Sequence, residues 1–150
     1  MTVPARHAAC HDVRDGWIDS LKKTYNESSY RQKFTPRGPG SLWSRINREK
    51  AEALIQRGEM KPAGLRAVEG AKLNGRWDAA YDSQNRATVP ADLQVELNRS
   101  PKAKAFFATL DSANRYAILF RIQTARQPET RARRIRQFID LLEKNEKLHP

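Results

Sequence analysis

Apolar positions along the chain follow two different periods. Near the N-terminus, Trp17, Ile18 and Leu21, and then Tyr30 and Phe34, are mixed with polar residues in an extended pattern, with the polar cluster Asn26-Glu27-Ser28-Ser29 between the two runs. This predicts a β-hairpin with strands at 17–24 and 30–35 and a loop of about four to five residues. Pro36 ends the second strand, and the segment from Phe34 to Asn47, dense in Pro, Gly, Arg and Ser, forms the junction between the extended and helical parts of the chain.

From Ser41 the spacing is helical. Ser41 reads as an N-cap, Trp43, Ile46 and Leu54 fall on one face, and Gly58 supplies the stop. Pro62 opens a second helix in which Leu65, Val68 and Ala71 recur every third residue. Residues 76–89 have no period, and Trp77 and Tyr81 are expected to pin them to the core. Pro90 opens a short helix through Leu93 and Leu97, Ser100-Pro101 starts another across Phe106, Phe107 and Leu110, and Asp111 caps a third. That third helix is apolar on nearly every side, from Tyr116 to Ile122, which places it mid-domain. Pro128 starts the last, with a stripe of Ala132, Ile135, Ile139 and Leu142. The expected fold is α+β and predominantly α-helical. A small N-terminal β-hairpin (β-element 16–40) precedes a C-terminal helical bundle of about five to six helices (41–150). Residues 16–150 read as one domain, and 1–15 as a weakly helical segment outside it.

Charge changes this picture most. Lys plus Arg number 28 against 17 Asp plus Glu, a formal +11 with a pI near 10.2, so the partners such a surface favours are polyanions or acidic protein faces. The plain alternative is a solubilising surface. Cys10 is the only cysteine, which rules out an internal disulfide. Met1 to His11 contains no apolar run after a basic start, and no stretch approaches the roughly 18 apolar residues of a membrane span, so a cytoplasmic location is expected.

Candidate chemistry is sparse. His7, Cys10 and His11 have i, i+3, i+4 spacing, but a structural zinc site needs four ligands and His149 is the only other imidazole, so no metal is expected. There is no Gly-x-Ser-x-Gly elbow, and Gly38-Pro39-Gly40 lacks the Gly-Lys-Ser/Thr ending of a phosphate loop. Asp19, Glu27, Asp78 and Asp82 are not paired by spacing. No catalytic residue is assigned and no cofactor is implied. Arg131, Arg133, Arg134 and Arg136 crowd the last helix, but Glu129, Asp140, Glu143 and Glu146 interrupt them in the manner of solvated i, i+4 pairing. With no aromatic–basic β platform and no helix-turn-helix signature, nucleic-acid binding through these arginines is the alternative rather than the leading reading. The junction is the better candidate. Arg37 and Arg45 bracket a helix N-terminus, where free N–H groups favour anions, and Ser41, Ser44 and Asn47 add polar groups beside Trp17 and Trp43. The purely structural reading makes the prolines turn-formers, Trp43 core and Ser41 a cap.

Several segments recur in a known order: Gly-Trp-Ile-Asp at 16–19, Phe-Thr-Pro-Arg at 34–37, Ser-Leu-Trp-Ser-Arg-Ile-Asn-Arg-Glu at 41–49 and Gly-Glu-Met-Lys-Pro-Ala-Gly-Leu at 58–65. Gly-Arg-Trp-Asp-Ala-Ala-Tyr at 75–81, Leu-Asp-Ser-Ala-Asn-Arg-Tyr at 110–116, Pro-Glu-Thr-Arg-Ala-Arg-Arg-Ile at 128–135 and Lys-Leu-His-Pro at 147–150 complete it. Over roughly residues 16–150 the chain resembles the YdeI/OmdA family, the bacteriocin-protection, YdeI or OmpD-associated proteins. The resemblance implies a role in tolerating bacteriocins or antimicrobial peptides and an association with an outer-membrane porin; some members carry a periplasmic label. It implies no reaction, cofactor or catalytic residue. Family members have a longer segment before the Gly-Trp-Ile-Asp element, so the hairpin here is expected either to pack Trp17, Ile18 and Phe34 on the helices or to pair with a second chain as a homodimer. Together these readings favour a non-enzymatic binding protein for a protein partner or small anionic ligand. The alternatives are a basic nucleic-acid binder and a small-molecule enzyme.

Overall fold

In the computed structural model, which describes residues 12–150, the two N-terminal runs pair as antiparallel strands β1 (Trp17–Asn26) and β2 (Ser29–Pro36). The turn is tighter than its polar sequence suggests: Asn26 pairs with Ser29, leaving two residues rather than four to five in the loop. The Asn26 side chain makes this possible, its Oδ1 accepting from the Ser28 N–H at 3.1 Å and the Ser29 hydroxyl at 2.6 Å. A register shift between Asp19 and Lys22 marks a bulge.

Six helices follow: α1 (Arg45–Gln56), α2 (Pro62–Leu73), α3 (Ala91–Arg99), α4 (Pro101–Thr109), α5 (Ser112–Gln123) and α6 (Pro128–Glu143). The fold is α+β and mostly helical, as the periods predict. The chain divides into two compact units, one ending at Asp78 and the other spanning Ala79–Pro150.

In the first unit the hairpin is rooted on α2 through Gly16. Its φ of +75° suits glycine, and a Cβ there would lie 2.9 Å from the Ala63 carbonyl oxygen. The Gly16 carbonyl accepts from the Arg37 N–H at 2.8 Å, closing the hairpin base. Beyond the root the hairpin is open. Trp17 is 40% and Phe34 37% exposed, Ile18 is half-buried, and none of the described hairpin side chains is buried. Of the two expected arrangements, packing of Trp17, Ile18 and Phe34 on the helices is therefore only partial, with Trp17 beside α2 and none of the three buried.

Ser41 is not the cap of α1. The N-cap is Ser44, whose hydroxyl accepts from the Asn47 N–H at 3.2 Å, while Ser41 closes the Gly38–Ser41 turn by accepting from the Gly38 N–H at 3.0 Å. The helical stripes are also rotated. α1 buries Ala51 and Leu54 and leaves Ile46 exposed; α2 buries Gly64, Val68 and Ala71 and leaves Leu65 exposed. Gly64 sets this rotation, because a Cβ there would collide with the Arg14 carbonyl and lie 2.6 Å from the Met60 sulfur. The unit's core is Val13, Trp43, Ala51, Leu54, Met60, Val68, Ala71 and Trp77.

In the second unit the predicted starts hold. The Ser100 hydroxyl accepts from the Ala103 N–H and donates to Glu143 Oε1 at 2.6 Å, tying the start of α4 to the end of α6. Asp111 caps α5, accepting from the Asn114 N–H at 2.7 Å. Pro101 and Pro128 sit in the first turns of their helices. α5 buries Ile118, Leu119 and Ile122 against Leu93, Leu97, Phe107, Ile135, Phe138 and Leu142. Phe138 belongs to the buried stripe of α6, whereas Ala132 is exposed. Asn114 is buried, and its Oδ1 accepts from the His149 N–H at 2.9 Å, anchoring the C-terminus.

Candidate anion-binding groove

The junction loop and one face of α2 enclose a groove of about 430 Å³ in the first unit. That volume lies in the range of about 300–1,000 Å³ typical of small-molecule sites. Its floor is the small-residue face of α2, where Ala63, Ala67, Gly70 and Ala71 recur at helical spacing. A Cβ added at Gly70 would meet nothing within 4 Å, so packing does not require glycine there.

The loop wall is held by hydrogen bonds from the C-terminal end of α2. Asn74 Nδ2 and Arg76 Nε both donate to the Pro39 carbonyl, at 2.9 and 3.1 Å. Arg37 stacks on Trp43, its guanidinium carbon 3.9 Å from the ring centroid, and donates through Nη1 to the Leu42 carbonyl at 3.1 Å. Trp43 in turn meets Trp77 edge-on, with centroids 5.1 Å apart. Arg37 is thus fixed by an aromatic pair belonging to the core.

The lining is cationic. Arg37, Arg66 and Arg76 face a single carboxylate, Asp15, which lies 3.6 Å from the Arg14 guanidinium. Among the described residues Arg66 has no hydrogen-bond or ion-pair partner. Trp17 contributes a half-exposed ring at the rim. Near the hairpin root, burial pushes the Asp12 carboxyl above its usual range, opposed by its hydrogen bond from the Val13 N–H and reinforced by neighbouring Asp19.

Of the residues singled out from the sequence, the groove gathers Trp17, Arg37, Ser41 and Trp43, but not Ser44, Arg45 or Asn47. Ser44 and Asn47 serve the cap of α1, and the groove lies on the flank of α2 rather than at the N-terminus of α1. Arg66, Asn74 and Arg76 escape the sequence reading. The signal that marks them is the row of small residues at 63, 67 and 70–71 alongside Arg66, a face too small to register as hydrophobic. His7, Cys10 and His11 lie outside the described residues; among those described, no group of three or more His, Cys, Asp or Glu is placed to hold a metal.

The arginines of α6 lie in the second unit. Arg131 clamps α6 to α3, donating from Nε and Nη2 to the Asp92 carboxylate at 2.5 and 2.9 Å and from Nη1 to the Ile122 carbonyl. Arg134 donates to the Arg121 carbonyl, whereas Arg133 and Arg136 are exposed. The same unit carries the clearest likeness to known proteins. Residues 86–145 match the family model described as bacteriocin-protection, YdeI or OmpD-associated. Over this region the chain is similar to the YdeI/OmdA family. Residues 2–67 match a second model, a domain of unknown function (DUF8412), and the groove, lined by residues between Asp15 and Arg76, lies wholly outside the OmdA match. No curated protein and no solved structure matches the chain. No helix among the described residues is long and apolar enough to cross a membrane.

Proposed function

We propose that this YdeI/OmdA-like chain is a non-enzymatic binding protein whose N-terminal unit takes a small anionic ligand, or an acidic segment of a protein partner, in the α2 groove. The observation that carries this reading is Arg66: a cation without a partner among the described residues, beside two further arginines and two tryptophans, over a floor left open by Gly70. Arg37 and Arg76 are already held in place by the loop, so an anion entering the groove meets preorganised donors.

The family link to bacteriocin or antimicrobial-peptide resistance then runs through the bound anion. A chain of net charge +11 repels cationic peptides, so protection by direct capture is disfavoured, and an indirect role in the cytoplasm is the reading that suits these residues. Fractionation of cells expressing a C-terminally epitope-tagged chain tests the location; recovery in the periplasm refutes it. Binding is tested by following tryptophan emission during titration with benzoate and with inorganic phosphate. A saturable change with either anion, lost in Arg66→Ala and in Gly70→Phe, is the expected result. Saturation that survives both substitutions removes the groove as the site.

A further inference from the structure

The lining of the α2 groove narrows the kind of anion it can take, an inference that rests on the anion-binding reading above. Along α2 the lining runs from Ala63 to the C-cap Asn74, a rise of about 16 Å along the helix axis, far longer than an inorganic anion needs. Between those ends the floor is the small-residue face of Ala63, Ala67, Gly70 and Ala71, on a helix whose backbone groups are bonded to one another. Pro36 and Pro39 add apolar surface on the loop side, and Trp17, 40% exposed, offers a ring at the rim. Such a floor gives a ligand's body nothing to hydrogen-bond, so the body it suits is apolar. An extended peptide laid there would bury backbone N–H and C=O groups without partners, which is costly.

The charged groups restrict the head of the ligand as the floor restricts its body. Arg37 spends Nη1 on the Leu42 carbonyl and Arg76 spends Nε on the Pro39 carbonyl. Arg66 has no hydrogen-bond or ion-pair partner among the described residues, which leaves its planar fork for the two oxygens of a carboxylate. Asp15, in the same lining, opposes a second negative charge. We infer that the ligand is a monoanion, a single carboxylate on an aromatic body, lying along α2 with its carboxylate on Arg66 and a ring against the Ala63–Ala67 floor and Trp17. Aromatic rather than aliphatic bulk follows from the exposed Trp17 ring, which gains from a second ring beside it.

Isothermal titration calorimetry of the full chain with acetate, benzoate, 2-naphthoate, inorganic phosphate and neutral 2-naphthamide tests this. Affinity should rise from acetate through benzoate to 2-naphthoate, by at least about tenfold overall, as ring surface is buried. 2-Naphthamide, the same body without the charge, should bind at least about tenfold more weakly than 2-naphthoate. Phosphate should be weaker than 2-naphthoate by a similar factor, and Asp15→Asn should narrow that gap. Arg66→Gln should bring 2-naphthoate down to the level of 2-naphthamide and leave the amide unchanged. Ala67→Leu, which suits a helix and fills the floor, should abolish 2-naphthoate binding and spare acetate. Acetate or phosphate binding that is lost in Arg66→Gln but gains nothing from an aromatic body overturns this inference and leaves the anion reading standing. Equal affinity for 2-naphthamide, a preference for phosphate, or 2-naphthoate binding that survives Ala67→Leu overturns it as well. Absence of saturable binding by every anion removes both.

Discussion

Gly64 and Gly70, both on α2, should respond to alanine in opposite directions. Gly70 is exposed within the helix, and a Cβ there meets nothing within 4 Å, so Gly70→Ala removes only the conformational freedom that glycine gives the unfolded chain. The expected gain is about 0.5–1 kcal/mol. Gly64 is buried, and its added Cβ would collide with the Arg14 carbonyl and stand 2.6 Å from the Met60 sulfur. Here the same helical gain is outweighed by overpacking against backbone, a cost of about 1–3 kcal/mol, because the carbonyl belongs to the segment that roots the hairpin. All three tryptophans, Trp17, Trp43 and Trp77, lie in the first unit, so urea unfolding followed by tryptophan emission reports on that unit. Gly70→Ala should raise the midpoint and Gly64→Ala lower it, with unchanged slopes. If both variants shift the same way, the packing of α2 on the hairpin root is not as described, and neither is the groove floor.

Caps and charges give two further expected outcomes. Ser44→Ala should destabilise the first unit by about 1 kcal/mol, whereas Ser41→Ala, which touches only the Gly38 turn, should cost clearly less; the reverse order in the same urea assay would return the α1 cap to Ser41. The Arg131 hydrogen bonds hold the Asp92 carboxyl below its usual range. Because the folded value is the lower one, this contribution is present above the unfolded value of about 3.9 and is lost as pH falls through the folded value. Asp92→Asn should therefore cost about 0.5–1 kcal/mol at neutral pH, a modest figure for a partly exposed pair, and the difference from the unsubstituted chain should vanish in acid. A penalty independent of pH would show that the ion pair is not its source.

Local grammar accounts for what is legible in the sequence. Ser100-Pro101, Asp111 and Pro128 mark helix starts because capping and proline geometry act within a few residues, and all three hold. Periodicity locates the helices but misplaces their faces where glycine is the buried residue. On α2 the stripe runs through Gly64, which adds no hydrophobicity, so Leu65 reads as core although it faces solvent. The groove is half-visible for a related reason. Arg37, Ser41 and Trp43 lie in the junction itself and Trp17 reaches it through its strand pairing with Pro36, but their partners come from far along the chain. Asn74 and Arg76 meet the Pro39 carbonyl across 35 and 37 residues, a contact no spacing rule anticipates. The open ribbon is hidden from sequence because an apolar-polar strand implies a buried face, and only the three-dimensional arrangement shows that none of its described side chains is fully buried.

The claim that the α2 groove receives an anion is tested most directly by two-dimensional NMR of the full chain during titration with benzoate and with inorganic phosphate. The indole N–H signals of Trp17 and Trp43 and the Nε–H signals of Arg37, Arg66 and Arg76 should move together and saturate, with the Trp77 indole less affected and Arg133 and Arg136 unmoved. Small, linear, non-saturating shifts spread over the arginines of both units would contradict it.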